Sequence, residues 1–219
     1  MKSGNFLLTI FLILCVSGCI PRGIDDVTID EPQTLNLCDP ITKDLETKPG
    51  IDGRLNPLCK GGGVYHFPIS TKSELAQQYF DIGCLLNYES NYAEASCLFK
   101  GAIRQDPDCA MCFWGLGYVL GSCYNANMKD YLLPAAYEAV VNAKLRMHTA
   151  SPKEKALIKA LEKRYPNDRK ETRFLYYETY AEAMNNVAKQ FPMDTDIAML
   201  TAEALIVLNA WEKNEKPHN

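Results

Sequence analysis

A chain of 219 residues that is 47% hydrophobic and 23% charged can bury a core, as one extended domain or as two small ones. Its formal net charge of −4 gives no electrostatic reason to expect nucleic-acid binding. Nine cysteines are many for a protein of the reducing cytosol, so the composition favours an oxidising compartment.

Residues 1–19 have the pattern of an export signal. Lys2 precedes the apolar run Phe6 to Val16, which is too short to span a bilayer. The run ends in Val16-Ser17-Gly18-Cys19, which resembles the lipobox of bacterial lipoproteins, so we expect Cys19 to be lipidated and the protein to be anchored in the cell envelope. The alternative is an ordinary secretory signal, which would leave the protein secreted or periplasmic.

Residues 20–70 are predicted to be an irregular tether. They contain six prolines and the run Gly61-Gly62-Gly63, and no helical or strand period persists. Cys38 and Cys59 form a candidate disulfide in this segment. Such a bridge would contribute about 3 kcal/mol by the chain-entropy estimate. Redox use of the pair is the alternative interpretation.

Residues 76–109 contain two helical patterns separated by a short turn. The first helix carries its packing stripe at three- and four-residue spacing, at Tyr79, Ile82, Gly83 and Leu86. The second does the same at Ala95, Phe99 and Ala102, and Pro107 ends it. Small residues at Gly83 and Ala95 would let the two helices approach closely, so we expect both to be buried at their crossing.

The same pattern recurs from Ala110 onward. Phe113, Leu116, Gly117 and Leu120 repeat the spacing of the first stripe. The second helix of this unit follows an insertion at residues 122–129 and carries Ala136, Val140 and Ala143. Residues 110–150 are therefore a second repeat, and residues 151–213 are predicted to hold further helices with a degenerate pattern.

These residues resemble the tetratricopeptide repeat. Seven of the eight signature positions of that family are matched in residues 76–109, with Leu86 where the family prefers tyrosine. From Ile69 to Trp211 the chain is also similar to a group of exported bacterial tetratricopeptide proteins. The resemblance implies an all-α fold at residues 71–219, a tetratricopeptide-type α-solenoid of antiparallel helix pairs with about seven helices. It implies a protein or peptide partner, and it transfers no catalytic residue and no cofactor.

The geometry of the family also implies a partner-binding groove. First helices line its concave side, and the residues that point into it lie one position along from the packing stripe. In this chain those residues are Gln77, Phe80, Asn87, Tyr88, Met111, Trp114 and Tyr118. Aromatic residues dominate binding energy at interfaces. In the alternative arrangement, the segment around Tyr65-His66-Phe67 folds into the groove and buries these aromatic residues.

Cys109 and Cys112 form the only motif with reactive potential. A Cys-x-x-Cys pair at a helix start can have a depressed thiol pKa, although no βαβ pattern surrounds this one. Three further cysteines on the helices are interpreted as small packing residues, namely Cys84, Cys97 and Cys123. The three histidines have no helical spacing to a carboxylate that would indicate a metal site.

We therefore expect a non-catalytic, lipid-anchored scaffold that binds a protein or peptide. The alternative is a thiol-redox or metal-handling accessory protein of the cell envelope that uses Cys109 and Cys112.

Overall fold

The structure is a computed structural model that describes residues 65–123, 128–165 and 173–215. All of them fall in one compact unit. In this part of the chain there are seven α-helices and no strand, which confirms the predicted all-α class. The helices are α1 Glu74–Tyr88, α2 Tyr92–Gln105, α3 Ala110–Val119, α4 Leu133–Leu145, α5 Pro152–Glu162, α6 Arg173–Gln190 and α7 Thr195–Glu215. Short 3₁₀ turns, Asp130–Leu132 and Met147–Thr149, flank α4.

Side-chain caps set the starts of several helices. Ser73 caps α1, where its hydroxyl accepts a hydrogen bond from the Ala76 amide at 3.1 Å. Thr71 also precedes a glutamate, Glu74, by three positions, but its hydroxyl donates to Asp106. At the start of α5 a capping box of Ser151 and Glu154 is present in full.

The first helix pair packs through Gly83. A Cβ added at Gly83 would lie 3.0 Å from the ring of Phe99 on α2, so any larger residue there would require that ring to shift. Ala95 is also fully buried, as predicted for this crossing. Close packing of this kind leaves no room for a larger side chain, because protein interiors are as dense as organic crystals.

The second pair repeats this contact. A Cβ added at Gly117 on α3 would lie 2.9 Å from Val140 on α4. In the predicted alignment of the two units, Gly117 occupies the place of Gly83 and Val140 occupies the place of Phe99. The structure therefore contains the same glycine contact in both helix pairs, in spite of the insertion between α3 and α4.

Phe99 joins the two pairs. Its ring lies beside Gly115 of α3 as well as Gly83 of α1, and it meets the ring of Phe80 edge-on with the centroids 5.4 Å apart. The later helices pack in chain order, α5 on α4, α6 on α5 and α7 on α6. Among the described helices, none is both long and apolar enough to cross a membrane.

Three of the residues predicted to carry a modification or a bridge cannot be placed. Cys19, Cys38 and Cys59 lie outside the described residues, as does the whole of the predicted signal peptide. The described part of the predicted tether is residues 65–70, which precede α1 without forming a helix. This short stretch determines the geometry of the candidate site.

Candidate functional site

Residues 65–70 form a segment outside any helix that lies against α1 and α5. Pro68 favours extended backbone at Phe67, because a proline restricts the residue before it. Backbone outside helices and sheets must find other partners for its N–H and C=O groups. In this segment those partners are the side chains of Gln77, Asp81 and Glu154, whereas Phe80 and Lys153 contact the ring of Phe67. We call these five residues the α1/α5 surface.

The side chain of Gln77 binds the backbone of the segment. Its side-chain N–H donates to the Phe67 carbonyl at 2.9 Å, and its side-chain oxygen accepts from the Ile69 amide at 3.0 Å. Asp81 lies one helical turn further on the same face of α1 and accepts from the Phe67 amide at 3.0 Å. The same Gln77 amide donates to Asp81 at 2.9 Å, which fixes the orientation of both side chains.

Asp81 also contacts the side chain of His66, whose Nδ1 lies 2.8 Å from its second carboxylate oxygen. The His66 side chain is 56% exposed, so this contact is at the rim of the surface. Burial raises the pKa of Asp81, although the hydrogen bonds from His66, Phe67 and Gln77 oppose that rise. Asp81 is therefore a partly buried carboxylate that accepts hydrogen bonds from three donors.

Glu154 binds the other end of the segment. Its two carboxylate oxygens accept from the Ser70 amide at 2.5 Å and from the Ser70 hydroxyl at 2.6 Å. The capping box of α5 fixes this side chain, because Glu154 also accepts from the Ser151 amide at 2.6 Å. Glu154 is only 1% exposed. A carboxylate so deeply buried needs several donors, and Ser70 supplies two of them.

Between these two ends, the ring of Phe67 is inserted into an aromatic pocket. It stacks on Phe80 with the centroids 5.7 Å apart, and the Lys153 ammonium lies 4.6 Å from its centroid. Phe80 in turn lies beside Trp114, and Trp114 stacks on Tyr118 at 5.0 Å. Four aromatic rings from the segment, α1 and α3 thus form one continuous row.

Helix α7 also contacts this row and the segment. The Tyr118 hydroxyl donates to Glu203, and the Tyr65 hydroxyl donates to Asp196 at 3.2 Å. Tyr65 also meets Tyr88 edge-on, with ring centroids 5.6 Å apart. Burial raises the pKa of Glu203 to about 7, so its carboxyl group changes charge near neutral pH.

Phe80, Trp114 and Tyr118 of the seven predicted groove residues lie side by side, but most of the seven are not exposed. Phe80 and Met111 are fully buried, Trp114 is 1% exposed, and Asn87 and Tyr118 are also buried. Gln77 and Tyr88 are half-buried and contact the segment or its Tyr65. The expectation of exposed aromatic residues is therefore corrected, and the role of these residues toward a partner stays a prediction.

Three separate elements cover these aromatic residues. Phe67 covers Phe80, as the alternative arrangement predicted. The indole N–H of Trp114 donates to the Leu157 carbonyl of α5 at 3.3 Å, and Glu203 of α7 meets Tyr118. The alternative arrangement places only the N-terminal segment in this position, so the contacts of α5 and α7 with these residues were not predicted.

The Cys-x-x-Cys motif is closed in this structure. Cys109 and Cys112 form a disulfide at the start of α3, and both are buried, at 1% and 0% exposure. Cys97 is also disulfide-bonded, which corrects its interpretation as a small packing residue. Cys84 and Cys123 are buried outside any disulfide. Burial gives an external thiol or disulfide no access to the pair at Cys109.

The residues that sequence reasoning missed are Asp81, Lys153, Glu154, Asp196 and Glu203. Asp81 could have been found, because it lies four positions after Gln77 and so shares its helix face. The sequence pattern identifies Glu154 only as a capping residue. For Asp196 and Glu203 the sequence contains no local signal, since their partners lie 131 and 85 positions away along the chain.

What the site can do follows from its groups. It offers acceptors and one amide to a peptide backbone, and a pocket to an aromatic ring. Within residues 65–123, 128–165 and 173–215, no group of three or more metal-ligating side chains could hold a metal ion. Comparison of the chain with protein-family models, with curated proteins and with solved structures finds no match.

Proposed function

We propose that this protein is an exported, lipid-anchored scaffold of the tetratricopeptide type, and that it binds an extended segment of a protein partner without catalysing a reaction. The site it uses is the α1/α5 surface. The proposal includes a solenoid arrangement of the helix pairs and anchorage through Cys19.

The repeated glycine contact supports the repeat architecture. Gly83 meets Phe99 and Gly117 meets Val140, so two units related by sequence spacing also pack alike. Side chains of the first helices of neighbouring units also meet, since Phe80 of α1 lies beside Trp114 of α3, and Trp114 donates to the Leu157 carbonyl of α5. In a solenoid each repeat stacks on the next.

One observation supports the binding function, namely that side chains bind the main chain of residues 65–70, which form no helix or strand. Gln77 alone makes two hydrogen bonds to main-chain atoms of the segment, and Asp81 and Glu154 accept from two further amides. In peptide recognition, main-chain hydrogen bonds supply affinity and side-chain pockets supply specificity. The pocket around Phe67 provides the second component.

The thiol-redox alternative receives no comparable support. Its two cysteines are already joined and are buried, whereas catalytic cysteines occupy partially exposed sites.

Site-specific photo-cross-linking in the host tests the proposed site. A photoreactive residue at position 78, which is exposed on α1 next to Gln77, should give adducts with one protein partner. The same residue at position 138 is the control, because Glu138 is exposed on α4, which makes no hydrogen bond to residues 65–70. Identical adducts from both positions, or none from position 78, would contradict the proposal.

The anchor has a separate test. Cys19→Ser should leave the protein unprocessed or release it from the membrane fraction, because two acyl chains on one cysteine suffice for stable anchoring. A Cys19→Ser protein that is processed and stays in the membrane fraction would refute lipidation at this residue.

A further inference from the structure

We infer that the ligand of the α1/α5 surface is an extended peptide with an aromatic residue, then proline, then an aliphatic residue and a serine or threonine. Residues 65–70 are the intramolecular example of this class, bound in cis. The inference rests on the proposed function and specifies its partner. It commits to a separate partner protein that displays such a segment.

The surface selects extended backbone first. The hydrogen bonds to Gln77, Asp81 and Glu154 use the amides of residues 67, 69 and 70 and the carbonyl of residue 67. Residue 68 contributes no donor to this set, which suits a proline, since proline has no N–H. A helical peptide would have these groups engaged internally and could not bind here.

The pocket selects an aromatic ring at the place of Phe67. That ring is 2% exposed and is held between the face of Phe80 and the ammonium of Lys153. An aliphatic side chain would keep the apolar contact with Phe80 but would lose the attraction between ring and cation. Lys153 is itself held in place by Asp194, 2.9 Å away at the start of α7.

Glu154 selects a hydroxyl group three positions after the aromatic residue. One of its carboxylate oxygens accepts from the Ser70 amide, and the other accepts from the Ser70 hydroxyl and the Ser151 amide, so a ligand without the hydroxyl removes one of three donors from a buried carboxylate. Ser70 provides both its amide and its hydroxyl. An aspartate or glutamate at this position would place a second negative charge beside Glu154. The ligand class therefore excludes acidic residues there.

The segment competes with any ligand for this surface. A short flexible connection gives a bound segment an effective concentration in the millimolar range. To displace the segment, a partner peptide of equal affinity must be present above that concentration, or the binding of the segment must be weakened. Removing the Phe67 ring weakens the cis segment while leaving the whole surface intact, so this variant should accept a peptide in trans.

The test is binding of a fluorescent peptide, Tyr-His-Phe-Pro-Ile-Ser with blocked ends, to the Phe67→Ala protein by fluorescence polarisation. We expect binding to Phe67→Ala at least tenfold tighter than to the wild-type protein. A peptide with alanine in place of phenylalanine should bind at least tenfold more weakly. Combining Phe67→Ala with Gln77→Ala in the protein should abolish binding.

Two results with a folded Phe67→Ala protein would overturn the ligand class. One is that it does not bind the peptide, and the other is that it binds the alanine peptide equally well. If Phe67→Ala does not fold, Phe67→Leu serves instead, because it keeps an apolar side chain in the pocket but lacks the ring. Sedimentation as a dimer, formed by exchange of residues 65–70 between two copies, would overturn the commitment to a separate partner.

These results are separable from the proposed function. Cross-links from position 78 to one partner, together with no peptide binding, would reject the ligand class and leave the scaffold function standing. Peptide binding without any cross-link would support the ligand class and reject the partner-binding role in the host.

Discussion

Two surfaces of α1 differ in how they are built. On one, Gly83 packs against Phe99 of the next helix along the chain. On the other, polar side chains hold residues 65–70 together with groups from distant helices, such as Glu154, 84 positions from Ser70. The first surface consists of close apolar packing, and the second combines hydrogen bonds to backbone with the stack of Phe67 on Phe80. The difference shows that packing within a helix pair joins near neighbours in the chain, whereas the candidate site is assembled from remote parts of it.

Trp114 should give the largest effect if the aromatic row belongs to the core. Its indole is 1% exposed and bonded to the Leu157 carbonyl, so Trp114→Ala removes packing on α1, α3 and α5 together. We expect a loss of about 3–5 kcal/mol in the free energy of unfolding. Urea denaturation measures it, with Tyr131→Ala as the control, since that side chain is 73% exposed. A Trp114→Ala protein of unchanged stability would show that the row lies at an open surface after all.

Glu203 should make stability depend on pH. Its pKa is raised from 4.5 to about 7 in the folded protein, so the folded state binds the proton more tightly than the unfolded chain. The stability that this proton confers is fully present below about pH 4.5 and is lost as pH rises to about 7. The loss is on the order of 3 kcal/mol.

Glu203→Gln should flatten that part of the profile, because glutamine does not titrate and still accepts from Tyr118. Urea denaturation at a series of pH values is the measurement, and Glu182→Gln, at an exposed position on α6, is the control. Parallel profiles for Glu203→Gln and the wild-type protein would mean that α7 does not bury this carboxyl group.

Gly83 and Gly117 test the apolar packing within the two helix pairs. Gly83→Leu and Gly117→Leu should each destabilise the fold by about 1–3 kcal/mol, because each overpacks one helix crossing. Ala93→Leu, at an exposed position on α2, is the matched control. Thermal unfolding of the three variants measures the effect. A tolerated leucine at one glycine and not at the other would show that the two helix pairs do not pack alike.

The same contrast explains which contacts can be predicted from the sequence. The spacing of Gly83, Phe99 and Gly117 predicts the helices and their closest contacts, because a helix face and a short turn are determined by near neighbours. The spacing does not show that Trp114 lies under α5 or that Tyr118 meets Glu203, since these contacts join residues 43 and 85 positions apart. The offset of one position from the packing stripe places Gln77 and Phe80 on the face of α1 that residues 65–70 contact, whereas that segment is predicted there only as an alternative.

Hydrogen exchange of the amides of Phe67, Ile69 and Ser70 tests the central claim most directly, namely that residues 65–70 are bound as a peptide. These amides lie outside every helix, yet each donates to a side chain of the α1/α5 surface. We expect exchange on the order of a hundredfold slower than in an unfolded chain, and selective acceleration at Ile69 in Gln77→Ala. Exchange of all three amides at the rate of an unfolded chain, in a protein whose helices remain protected, would contradict the account.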